Sequence, residues 1–227
     1  MNRPSSHDWI DDFVEQAFAR EAPQVEIEDE EAVEHGRPLT PSEIELARQE
    51  LCQWQMPDTF AVAVKALCAR CASKDWFNSP RLKFLHDAYV LSAFATAHEA
   101  ESVRLAGSTE QWPDGYVKIS GRAHNVEITS THGGRRLGEE YRTVSGPTID
   151  PVENWVARAE SIPRHLDDVL RSKSEKRYSS PCWLVVYLNI SEWGIRQSET
   201  EAVIAATKAR YTDVFEAISV LWKERFY

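Results

Sequence analysis

The stretch Trp112-Pro113-Asp114-Gly115-Tyr116-Val117-Lys118-Ile119, followed by Asn125-Val126-Glu127-Ile128-Thr129, reads as two β-strands carrying one carboxylate each. Val117 and Ile119 alternate with Tyr116 and Lys118, and Val126 and Ile128 alternate with Glu127 and Thr129. Ser120-Gly121-Arg122-Ala123-His124 between them has the length and the glycine of a hairpin loop. Strand side chains repeat with period two, so Asp114, Tyr116 and Lys118 share one face, and so do Glu127 and Thr129. If the apolar sets enter one core, both carboxylates stand on the opposite side, close enough to share a metal ion.

Working outward, Ser79-Pro80 opens a helix over about 80–100 with apolar residues on a wide arc, as in a helix enclosed by the fold. Ser102 to Ala106 is a short alternating strand. Downstream of Gly133-Gly134, Arg135 to Arg142 reads as a charged loop or short helix. Residues 151–172 form an amphipathic helix that Pro163 is expected to kink or divide. Pro181 to Ile190 is nearly continuous apolar sequence, the pattern of a central strand covered on both faces. Helical sequence returns from Glu199 to about Asp213. Residues 214–227 end the chain as strand or further helix, with the alternation around Val220 favouring strand. Upstream, residues 8–20 carry a helical apolar stripe, and Thr40, Pro41 and Glu43 announce a capped helix running to about Trp54. Thr59 to Ala72 reads as helix, with Val62 and Val64 leaving a strand open. The expectation is an α/β core over 79–227 preceded by an N-terminal helical region, 1–78, with a linker at about 21–36.

The formal charge is −10, and Glu21 to Glu34 alone hold seven acids with no Lys or Arg, leaving about −3 for the rest. That balance argues against a surface gripping nucleic acid indiscriminately while permitting a local basic groove. No apolar run reaches membrane-spanning length and the first residues lack a signal-peptide core, which predicts a soluble, cytoplasmic protein. Cys68-x-x-Cys71 has no second pair at zinc-site spacing, so the four cysteines read as core packing. Nucleophile-elbow, phosphate-loop, dinucleotide-binding and HExxH motifs are absent.

The order of helix, three strands, helix and buried strand, with Pro113-Asp114, twelve residues, then Glu127-Ile128-Thr129, resembles the PD-(D/E)XK nuclease superfamily over about residues 80–190. The resemblance implies a restriction-endonuclease-like mixed sheet flanked by helices. It implies that Asp114, Glu127 and the Ile128 carbonyl bind Mg²⁺ or Mn²⁺, and that a preceding helix supplies Glu99 or Glu101. Thr129 stands where the family has lysine, and Lys118 is a candidate substitute. Arg135, Arg136 and Arg142 are candidates for gripping a DNA backbone, or else pair with Glu139 and Glu140. Nucleases of this fold often cut as pairs, which makes the N-terminal helices candidates for a homodimer interface. The implied activity is metal-dependent phosphodiester hydrolysis, acting on DNA. The alternatives are a catalytically silent binding or assembly module, and an α/β scaffold whose acidic pair is coincidental.

Overall fold

The structure, a computed structural model, describes residues 39–71, 79–135, 151–192 and 194–227. The expected helix at 8–20, the linker at 21–36, Arg136 and Arg142 lie outside them.

Helix α1, Pro41–Leu51, begins as its sequence announces. Thr40 Oγ1 accepts from the Glu43 amide at 3.3 Å, and the Glu43 carboxylate accepts from the Thr40 amide at 2.8 Å. Helix α2, Pro57–Ala69, resolves the open choice at 59–72: Pro57 starts it, and Val64 is buried while Val62 stays outside. A 3-10 turn, Pro80–Leu82, leads into α3, Lys83–Ala97, which ends earlier than expected. Strands β1, Ser102–Leu105, β2, Gly115–Ile119, and β3, Arg122–Thr131, then form an antiparallel meander. The β2–β3 loop is tighter than expected. Only Ser120 and Gly121 connect the strands, at φ 51° and 75°, the paired positive angles of a hairpin turn whose twist matches its strands.

Helix α4, Val152–Ser174, runs through Pro163 as a single element. Interior proline removes one backbone hydrogen bond. Ala159, Ile162, Leu166 and Leu170 nevertheless make one buried stripe on both sides of it, and that packing outweighs the loss. The helix crosses over to β4, Cys182–Leu188, which lies parallel to β3. Helix α5, Gln197–Ala209, precedes β5, Ala217–Trp222, parallel to β4, and β6, Arg225–Phe226, closes the order β1-β2-β3-β4-β5-β6.

The sheet separates two cores. Leu51, Phe60 and Val64 from α1 and α2 join Leu85, Leu91 and Phe94 from α3 against Val103, Val117, Val126 and Ile128. On the other face Ile162, Leu166, Leu170 and Ile204 pack against Leu184, Val186, Val220 and Trp222. Strand β4 alternates between them: Val185 faces the first core, Leu184 and Val186 the second, as expected of a strand covered on both sides. Burying each large apolar side chain contributes about 1.5–3 kcal/mol relative to leaving it exposed. The cysteines are free thiols within or against these cores. No helix among the described residues is long and apolar enough to cross a membrane.

Candidate functional site

The site begins where β2 stops. The β2–β3 register ends at Gly115 opposite Val126, while β3 continues for five more residues. Beyond that point the β2-facing edge of β3 has lost its strand partner. Asp114 fills the gap. Its amide donates to Val126 O at 3.1 Å, and its carboxylate Oδ2 accepts from the Ile128 amide at 2.7 Å. A side chain thus continues the ladder in place of backbone. The N–H and C=O of one strand residue face the same neighbour, so the Ile128 carbonyl opens toward the same gap. Gly115 keeps this junction close to α3, since a Cβ there would overlap Leu91 Cδ2.

Glu127 projects to the α4 side and is only 6% exposed. Burying a carboxylate costs several kcal/mol unless it is paired. Lys173, in the last turn of α4, supplies that partner, its Nζ 2.5 Å from Glu127 Oε1, and Lys176 stands 3.8 Å from the same oxygen. The negative end of the helix dipole favours lysine there.

The two carboxylates sense each other. Burial, above all, raises the Asp114 pKa to about 7, and the charges of Asp87 and Glu127 add to the rise; the Ile128 amide and Lys173 oppose it. Asp87, Asp114 and Glu127 bring three carboxylates toward the junction, with Lys173 and Lys176 on the α4 side and Arg48 in the cleft beside Asp87. Among the described residues no three His, Cys, Asp or Glu side chains form a ready-made metal cage. That donor set still fits Mg²⁺, which keeps several waters and needs one or two protein carboxylates. Tyr178 sits behind Glu127, its ring against Trp112 and Phe215, with its buried hydroxyl lacking a well-formed hydrogen bond. Burial first, then the Glu127 charge, raises its pKa, so it remains a donor. The same causes push the Cys182 thiol up to about 12, which leaves it inert as a nucleophile near neutrality.

The other expected site residues fall elsewhere. Lys118 reaches Glu101 at 3.8 Å, at the hairpin end of β2 and away from Asp114. Glu101 accepts from the Gly121 amide at 2.6 Å and so braces the turn. Glu99 is exposed past the end of α3, at φ 49°. The helix acid that acts on Asp114 is Asp87, twelve residues earlier in α3 and about 18 Å back along a helix. Thr129 shares a face with Glu127 and lies opposite Val186 in the β3–β4 register. Arg135 is exposed beyond β3, its amide donating to His132 O at 3.2 Å.

Sequence reasoning missed Asp87, Lys173 and Lys176. The signal for the lysines was the parallel crossover itself, because a helix joining β3 to a parallel β4 must bring its C-terminal end back beside β3. Comparison with known proteins adds no relative: no family model, curated protein or solved structure matches this chain.

Proposed function

We propose that this chain is a metal-dependent phosphodiesterase acting on DNA, with a restriction-endonuclease-like core. One observation carries the reading: Asp114 and the Lys173-bound Glu127 sit within electrostatic reach of each other at the β2–β3 junction. The order α3-β1-β2-β3-α4-β4, with antiparallel pairing up to β3 and parallel pairing after it, supports the architecture.

Asp114, Glu127 and the Ile128 carbonyl would hold Mg²⁺ or Mn²⁺. A bound ion supplies positive charge to the scissile phosphate and lowers the pKa of its water. Lys173 delivers from α4 the ammonium that Thr129 lacks at the motif position, and Lys176 extends that charge outward. Asp114 orients the Ile128 backbone through its Oδ2. Half-buried Tyr178 and Trp112 flank the α4 side, with the Tyr178 hydroxyl and the Trp112 Nε1 enclosed, and limit water around Glu127.

Mg²⁺- or Mn²⁺-dependent cleavage of DNA tests the reading. Asp114→Ala and Glu127→Ala should each abolish it, and Lys173→Ala should lower kcat by about 10²–10³-fold, as loss of one preorganised charge does. Thr129→Lys in the Lys173→Ala background should restore part of the rate, because it returns the amine from the neighbouring strand position. Cleavage that persists in both carboxylate variants refutes the site. Thr129 also favours a second reading, in which Lys173 simply neutralises Glu127 in a silent DNA-binding module. Metal-independent DNA binding without cleavage would select it.

A further inference from the structure

Next to Asp114 lies a cleft of about 370 Å³, open to solvent and lined by Arg48 of α1, Phe84 and Asp87 of α3, and Glu110. Arg48 is the unexplained group in it. Its Nε is buried and has no hydrogen-bond partner, and its guanidinium stands over the Phe84 ring, 5.7 Å from the centroid. The carboxylates nearby are already engaged. Glu110 takes the Tyr116 hydroxyl, the Gly107 amide and Arg104; Asp87 faces His86; Glu43 pairs with Arg70; Asp114 holds the Ile128 amide. Arg48 forms no ion pair among the described residues, although it belongs to the helix whose neighbours form several.

The enclosed Nε fixes the guanidinium in place, and its Nη end lines the cleft with no carboxylate among the described residues paired to it, where an anionic oxygen can take a charge-assisted hydrogen bond. The aromatic face beneath it holds the plane in place without consuming a donor. Arg48 also borders a second cleft with Pro41, Ile44, Glu45 and Arg81, in which Glu45 accepts from Gln49 Nε2 at 3.2 Å. Arg81 is exposed at the 3-10 turn and likewise makes no ion pair among the described residues. Two uncommitted arginines therefore lead from the surface toward Asp114, within an acidic protein.

We infer that Arg48 and Arg81 contact the phosphates of a DNA backbone and seat it beside Asp114. The inference rests on the phosphodiesterase reading and adds the contact surface to it. Phosphate oxygens accept from the Nη end of Arg48, which reaches solvent while its Nε stays enclosed, and Arg81 takes a neighbouring phosphate along the strand.

The test is fluorescence anisotropy of a labelled DNA duplex with the full chain, Ca²⁺ replacing Mg²⁺ to separate binding from cleavage. Arg48→Gln keeps a polar stem over Phe84 and should raise Kd about tenfold or more, with the salt slope falling by about one. Arg48→Lys should recover part of the affinity. Arg81→Ala, at an exposed position, should raise Kd by a smaller factor with an unchanged melting temperature, and it carries the test if Arg48→Gln unfolds early. Unchanged Kd and slope in both arginine variants, alongside cleavage lost in Asp114→Ala, overturns the inference and leaves the phosphodiesterase reading standing. Arginine-dependent binding with no cleavage in Mg²⁺ or Mn²⁺ upholds the inference and removes the chemistry. Absence of DNA binding by the wild type overturns the inference.

Discussion

Two acid–lysine pairs mark the two ends of the β2–β3 hairpin, and they differ in almost every physical respect. Glu127 and Lys173 meet at 2.5 Å with side chains 7% and 15% exposed; Glu101 and Lys118 stand 3.8 Å apart with side chains 48% and 45% exposed. Water screens the second pair, and an exposed pair of this kind contributes about 0–1 kcal/mol. The first has surrendered its hydration, so each partner depends on the other. The β2–β3 hairpin therefore has a structural end, where charge steadies a turn, and a chemical end, where charge is concentrated.

Breaking the buried pair should have the largest effect. Lys173→Met leaves Glu127 enclosed without its closest cation and should destabilise the fold by about 3–5 kcal/mol in denaturant titration. A double-mutant cycle with Glu127→Gln should recover much of that loss, because it removes the stranded charge. Independent effects of the two substitutions would mean the pair is not coupled.

Asp114 should behave in the opposite sense. Its folded pKa of about 7 lies above its ordinary value of 3.8, so the folded state holds its proton more tightly than the unfolded chain does. Stability should accordingly fall as pH rises from about 4 to 7, and stay lowered above that. At pH 8 Asp114→Asn should be more stable than the parent, on the order of 2 kcal/mol, and the difference should vanish near pH 4. Thermal melts across this range test the sign, and a stabilising difference that grew toward acid would contradict it. Mg²⁺ should raise the melting temperature of the parent at pH 8 and leave Asp114→Asn less affected, since binding to the folded form is what stabilises.

The exposed pair should give the smallest effect. Lys118→Ala should cost under about 1 kcal/mol, less at high salt, and should leave DNA cleavage intact. Lost cleavage in this variant would return Lys118 to the site and erase the distinction between the two ends.

Much of this was written in local pattern. Thr40-Pro41 with Glu43 announced α1, period-two alternation located β2 and β3, and the apolar run at 181–190 holds the doubly covered strand, Cys182–Leu188. The acidic pair was legible because both members lie on one hairpin. Its partners were not. Lys173 is 46 residues from Glu127 in the chain, and only the crossover brings them together. Lys118 looked suitable because it shares a face with Asp114, but four residues of strand span about 13 Å, too far for one site. Glu99 and Glu101 lie past the C-terminal end of α3, away from Asp114, whereas Asp87 lies inside the helix. Pro163 shows the converse, a local signal overridden by the buried stripe on α4.

The parallel pairing of β3 with β4 has a kinetic consequence. A parallel neighbour cannot form by a tight turn, so the folding chain must close the long crossover before Lys173 arrives. The hairpin bearing Asp114 and Glu127 needs only a two-residue connection and can form early, with both acids still in water. The candidate centre is thus completed by one of the slower contacts to form, and a nascent or partly opened chain carries its acids without its ammonium.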